Sequence, residues 1–68
     1  MRLYTILEIY GGIVQDIQTY TDKRKADTEI INQARQHGLK CAEMEPNAYY
    51  TDGEQYHELF LLPHTLTN

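Results

Sequence analysis

Residues 3–20 read LYTILEIYGGIVQDIQTY, and the predicted fold starts from this stretch. Two runs rich in β-branched and aromatic residues, 3–10 and 13–20, flank the pair Gly11-Gly12. Glycine accepts the positive φ angles that tight hairpin turns need. The pattern therefore predicts an antiparallel β-hairpin at the start of the chain.

The register of this hairpin has two alternatives. A two-residue loop sets Tyr10 opposite Ile13, and the turn chemistry of the glycine pair favours it. A three-residue loop or a β-bulge sets Leu7 opposite Ile17, and burial favours this form because it gathers aliphatic side chains on one face. The gathered residues are Leu3, Leu7, Ile9, Ile13 and Ile17. We therefore predict the bulged form.

The bulged register also places charged and aromatic side chains. Glu8 then faces Asp16, a like-charge pair that lowers the stability of the hairpin. We expect the helix that follows to cover the aliphatic face. The opposite face then carries Tyr4, Tyr10 and Tyr20 together with Ile6 and Val14.

The next segment has the pattern of an amphipathic helix over residues 23–37. Asp22, after Thr21, offers an N-cap because its short side chain can accept a free backbone N–H. Gly38 is placed to end the helix in a left-handed cap. The apolar stripe of this helix is narrow and consists of Ala26, Ile30 and Ala34, with Ile31 beside it.

Two further strands are predicted after the helix. Residues 39–45 form a weak strand that Pro46 interrupts, and residues 47–51 are either loop or a continued strand. Asp52-Gly53 is a turn dipeptide, and the last strand covers residues 54–62. This hairpin would bring Tyr49 opposite Tyr56.

The element order is β-β-α-β-β, which predicts an α+β fold in two layers, a small antiparallel sheet with one helix packed on one face. The 68 residues have a mass of 8.0 kDa, so residues 1–68 are expected to form a single small domain. Pro63 ends the last strand, and residues 63–68 are expected to form a frayed tail.

Composition limits the classes of partner and compartment. The formal net charge of -4 argues against nucleic acid, whose phosphates are bound by clustered Lys and Arg. No apolar run approaches the roughly 20 residues of a membrane-spanning helix, so no membrane association is expected. The single cysteine, Cys41, cannot form an internal disulfide, which indicates a reducing, cytoplasmic location.

Two groups of side chains are candidate binding residues. Tyrosine combines a large apolar area with a polar tip and is enriched at interfaces and ligand walls. The candidate interface or ligand-stacking residues are Tyr4, Tyr10, Tyr20, Tyr49, Tyr50 and Tyr56. The candidate anion-binding residues, at the start of the helix, are Lys23, Arg24 and Lys25.

Patterns for catalysis or metal binding are weak in this sequence. His37 and Cys41 are four residues apart, but the helix stop at Gly38 lies between them. His57 and Glu58 are neighbours on a strand and point to opposite faces. Neither spacing matches a zinc pattern, so we predict no metal site, no cofactor, no catalytic residue and no enzymatic activity.

The leading hypothesis is a small non-catalytic interaction module. A short chain without disulfides or metal gains stability from self-association, so a homodimer or higher oligomer is expected. The module would act by binding a partner protein, as an acidic inhibitor or regulator of a nucleic-acid-binding partner. The alternative is a homo-oligomeric protein that binds a small nucleotide-like ligand between subunits, where tyrosines stack on it and Lys23, Arg24 and Lys25 neutralise its phosphate.

Overall fold

The computed structural model describes residues 1–43, 47–54 and 56–65, and it confirms the two-layer α+β fold. One helix lies on one face of a five-stranded antiparallel sheet in the order β2-β1-β5-β4-β3. The elements are β1 Arg2–Tyr10, β2 Ile13–Tyr20, α1 Lys23–His37, β3 Lys40–Glu43, β4 Ala48–Thr51 and β5 His57–Thr65.

The first hairpin satisfies both the turn chemistry and the burial pattern. Gly11 and Gly12 have φ angles of 61° and 80°, and Tyr10 pairs with Ile13 across a two-residue loop. A β-bulge next to Glu8 then shifts the register, so that Leu7 pairs with Ile17. The predicted bulged register is confirmed, and the bulge lets both preferences hold in one hairpin.

The assignment of the two sheet faces was wrong. Ile6 is buried beneath the helix, and Tyr4 and Tyr20 pack beside it on that same side. The helix stripe has small alanines at both ends, which leaves room beside it for large phenol rings. The Tyr20 hydroxyl donates a hydrogen bond to the Gln18 side chain at 3.1 Å. The aliphatic face lies on the other side of the sheet, and there Val14, not Ile13, pairs with Ile9.

The helix has the predicted bounds and caps. The Asp22 side chain accepts a hydrogen bond from the Arg24 backbone N–H at 2.9 Å. Gly38 takes the left-handed conformation at φ 69° and ends the helix. The buried core beneath α1 consists of Ile6, Ala26, Ile30, Ala34, Leu59 and Leu61.

The second half of the sheet has three strands where two were predicted, and their bounds differ from the predicted ones. Residues 44–46, which include the end of the predicted strand and Pro46, lie outside the described residues. Residues 48–51 form a strand of their own, β4, which pairs with both β3 and β5. The last strand begins at His57 rather than at residue 54. The Asp52 carboxylate accepts backbone N–H groups from Glu54, Tyr56 and His57 at 2.8–3.2 Å, which holds a wider loop.

That wider loop changes the pairing of Tyr49. The prediction set Tyr49 opposite Tyr56, whereas the structure pairs it with Phe60. The strand also continues past Pro63, which pairs with Tyr4 of β1. The pairing of β4 with β5 extends to Leu61, so Pro63 lies beyond it and its missing N–H is tolerated. Of the predicted frayed tail, residues 63–65 belong to β5, and 66–68 lie outside the described residues.

The core position Ile30 offers a direct test of this packing. Ile30 is 1% exposed and its helix neighbour Ile31 is 39% exposed. Ile30→Ala should lower the free energy of unfolding by about 2–5 kcal/mol, since it leaves a cavity in the core. Ile31→Ala, the matched control, should lower it by less than about 1 kcal/mol. Urea unfolding followed by circular dichroism measures both, and equal losses would contradict the assigned helix face.

Candidate functional site

The side of the sheet away from the helix carries an uncovered apolar surface, which we call the open face. Its residues alternate along the strands with those that face α1, and they pair across β2, β1, β5 and β4. The apolar residues of the open face are Leu3, Leu7, Ile9, Val14, Ile17, Tyr49, Phe60 and Leu62. Val14, Ile17 and Leu62 are exposed at 49%, 61% and 39%, and the other five side chains are half-buried. A contiguous apolar patch of this kind marks an interaction site.

Polar groups on the open face are paired with one another. The Tyr49 ring stacks on Phe60 at a centroid distance of 4.7 Å, and its hydroxyl donates to the Glu58 carboxylate at 2.7 Å. Thr5 Oγ1 and His64 Nε2 are hydrogen-bonded at 2.9 Å. Because these polar side chains have partners within the chain, covering the face does not leave them buried without a hydrogen bond.

The six tyrosines do not gather in one wall. Tyr4, Tyr20 and Tyr50 pack against the core on the helix side. Tyr10 and Tyr56 meet edge to face at 4.8 Å, beside the turn of the first hairpin. Only Tyr49, among the six, contributes to the open face. Of the candidate interface residues, the structure therefore joins Tyr49 to the open face and places the others elsewhere.

Three of the phenols have raised pKa values. Burial raises the pKa of Tyr20, and the charges of Glu29 and Asp16 add to this. Burial also raises the pKa of Tyr50, with a further contribution from Cys41. The pKa of Tyr49 is raised mainly by its hydrogen bond to Glu58. In each case the folded state favours the neutral phenol.

The cationic start of the helix is divided between two environments. Lys23 forms an i,i+4 ion pair with Asp27 at 2.9 Å. Arg24 and Lys25 line a shallow groove of about 400 Å³ together with Tyr20, Thr28 and Glu29. Two of the three candidate anion-binding residues thus lie beside one aromatic ring, and a carboxylate lies in the same groove.

A third cluster was missed by the sequence reasoning. His57 Nε2 lies 2.7 Å from the Glu8 carboxylate, and His37 Nε2 lies 3.7 Å from the same oxygen. The two imidazole rings are 4.5 Å apart between centroids. The three residues come from β1, α1 and β5, so no local spacing could reveal them. The pairing of β1 with β5 sets Glu8 next to the start of β5, and the end of α1 brings His37 to the same point.

Comparison of the chain with protein-family models, with curated proteins and with solved structures gives no match. Within the described residues, no helix combines the length and apolar character needed to cross a bilayer.

The raised phenol pKa values predict lower stability at alkaline pH. A group whose pKa is higher in the folded state stabilises fully below its unfolded value, here 10.0, and this contribution is lost as pH rises through the folded pKa. Urea unfolding should give a free energy that falls as pH rises above 10.0. Tyr50→Phe, which cannot ionise, should flatten that fall. An equally steep fall in Tyr50→Phe would contradict the assignment.

Proposed function

We propose that this chain is a small non-catalytic interaction module that self-associates by stacking the open faces of two copies. The observation that carries the proposal is the uncovered aliphatic surface around Leu7, Ile17 and Phe60. A helix protects one side of the sheet, whereas the described residues contain no layer over the other side. Burying such a surface removes apolar area from water, which is the main driving force of association.

The dimensions of the molecule agree with a dimer of ordinary size. Its two longer extents are 38 Å and 22 Å. A rectangle of those extents covers on the order of 800 Å², so nearly complete contact between two faces would match the area that each partner buries in a standard stable interface. Two sheets stack about 10 Å apart when their side chains interdigitate, and an isologous two-fold pair lets the same patch serve both copies.

The chemistry of the open face favours a second copy as its occupant. The centre of the face is aliphatic and aromatic, as in homodimer interfaces, which are more apolar than other interfaces. Its carboxylate, Glu58, already accepts a hydrogen bond from Tyr49. A copy presenting the same apolar centre therefore meets side chains of matching chemistry, while the charge of Glu58, which a neutral phenol does not cancel, opposes its burial.

Net charge favours a basic partner for the assembled module. Each chain carries a formal net charge of -4, and stacking doubles the charge of the particle. Electrostatic complementarity steers association and selects partners of opposite charge. A protein with a basic groove, such as one that binds nucleic acid, fits this description. Binding of a basic partner depends on the net charge, whereas self-association depends on the open face.

Two substitutions on one strand test the self-association. Ile17 lies on the open face, and Ile13, which is 66% exposed, pairs with Tyr10 on the other face of the same strand. Wild type should sediment as a dimer. Ile17→Lys should sediment as a monomer because it places a charge in the apolar interface. Ile13→Lys, the matched control, should remain a dimer. Analytical ultracentrifugation gives all three masses.

Two outcomes would contradict the proposal. A monomeric wild type over the accessible concentration range would exclude a stable stacked dimer. Equal loss of association in Ile13→Lys and Ile17→Lys would indicate pairing along the edge of β2 instead, because both residues lie on that edge strand. Circular dichroism of each variant shows that the fold is retained.

The groove beside the helix supports a second candidate function, binding of a small planar anion. Tyr20 supplies a ring for stacking, and Arg24 and Lys25 supply charge for a phosphate. This candidate corresponds to the nucleotide-like ligand suggested by the sequence, within one copy rather than between subunits.

Thermal unfolding in the presence of ADP tests this second candidate. Binding at 100 times the dissociation constant should stabilise the wild type by about 2.7 kcal/mol. The double variant Arg24→Ala, Lys25→Ala should lose this stabilisation, and Lys40→Ala, which removes a cation from β3, should keep it. A flat response of the wild type, or an equal response of the double variant, would eliminate the groove as a nucleotide site.

A further inference from the structure

Three potential metal ligands converge at one end of the sheet, on the side of the helix. Glu8 lies in β1, His37 is the last residue of α1, and His57 is the first residue of β5. One ligand atom from each residue lies within 4.8 Å of the other two. Ligands from three separate elements are brought together by the fold as a whole, so the cluster is not an accident of neighbouring positions in the chain.

The fold holds His57 in place. Its backbone N–H donates to the Asp52 carboxylate at 3.1 Å, and its ring packs edge to face against Tyr10 at 5.2 Å. His57 is buried, and its Nε2 already points to the Glu8 carboxylate. A ligand that is positioned before an ion binds loses little freedom on binding.

His37 supplies the adaptable side of the cluster. It is exposed and sits at the helix end, next to the cap residue Gly38. Ligand atoms around a tetrahedral ion with bonds of about 2.0–2.1 Å lie roughly 3.3 Å apart. The 3.7 Å separation between His37 Nε2 and the Glu8 carboxylate is close to this value. His57 Nε2 and the Glu8 carboxylate, now 2.7 Å apart, must separate by about 0.6 Å and lose the proton of their hydrogen bond when an ion binds. The exposed His37 ring can adjust its position, and it leaves a path by which an ion can enter.

Local charge also favours a cation. Asp16 is the cross-strand partner of Glu8, so a second carboxylate lies on the same face. The like-charge pair that lowers the stability of the hairpin would be relieved by a positive ion at this point. The Gln18 side chain donates a hydrogen bond to Asp16 at 2.8 Å, and this neutral amide leaves the negative charge of the carboxylate in place.

We propose that Glu8, His37 and His57 bind one divalent first-row transition-metal ion, for which Zn²⁺ is the probe. Two imidazole nitrogens and one carboxylate oxygen suit Zn²⁺ and its neighbours, whereas Mg²⁺ and Ca²⁺ prefer sets made of oxygens. Three protein ligands leave a fourth position for water or for a partner's side chain. The site lies on the opposite side of the sheet from the open face, so it stays accessible in the stacked dimer.

Calorimetric titration of the untagged chain with Zn²⁺ tests the proposal. Wild type should bind one ion per chain, and Mg²⁺ should give no binding. Glu8→Gln and His37→Ala should each weaken Zn²⁺ binding at least tenfold. The matched control is His64→Ala, which removes the remaining histidine from the other face and should leave the affinity unchanged. Because His37 is exposed, its replacement should not unfold the chain.

Titration with Co²⁺ reports the ligands directly. A visible spectrum of nitrogen and oxygen coordination, without a thiolate band, is expected, and it would distinguish this cluster from binding at Cys41. Ile17→Lys should bind the ion as wild type does, so failure of the dimer and failure of the metal site can be told apart. No saturable binding, half an ion per chain, or equal weakening in His64→Ala and His37→Ala would overturn the proposal.

Discussion

A single helix can cover only one face of a five-stranded sheet, and the other features of this molecule follow from that constraint. A helix with its side chains is about 10 Å wide, whereas neighbouring strands lie about 4.8 Å apart. The helix α1 therefore lies over the middle of the sheet, where Ile6, Leu59 and Leu61 form the core. Tyrosines fill the flanks of the helix, and nothing in the described residues covers the open face.

The bulge in the first hairpin keeps the aliphatic side chains of β1 and β2 opposite each other on the open face. Without it, the two-residue glycine turn would set Leu7 opposite Asp16 and break the aliphatic pairing. With it, Leu7 meets Ile17 and the open face is continuous over β2, β1 and β5. The same shift places Asp16 opposite Glu8. The contact of Glu8 with His57 depends instead on the pairing of β1 with β5. The bulge thus shapes the proposed interface and sets a second carboxylate beside the proposed metal site.

Local features of the fold could be predicted from the sequence. The helix bounds and caps, the hairpin and its register depend on residues close together in the chain, such as Asp22, Gly38 and the Gly11-Gly12 pair. The choice of the covered face could not be predicted. Strand β1 is apolar on both sides, with Ile6 on one and Leu7 on the other, so alternation does not show which side meets the helix.

The candidate sites depended on long-range pairing to different degrees. The members of the open face follow from the hairpin register, apart from those in β4 and β5. The cluster of Glu8, His37 and His57 requires the pairing of β1 with β5 and the position of the helix end, which no local pattern specifies. The partner of Tyr49 could not be predicted either. The loop held by Asp52 is wider than the predicted turn, and Tyr49 therefore pairs with Phe60.

The central claim is that a second copy covers the open face, and intermolecular nuclear Overhauser effects between labelled and unlabelled copies test it most directly. The account predicts contacts that join Leu7, Ile17 and Phe60 of one copy to the same side chains of the other. Intermolecular contacts confined to the helix or to the edge strands, or none at all, would contradict it.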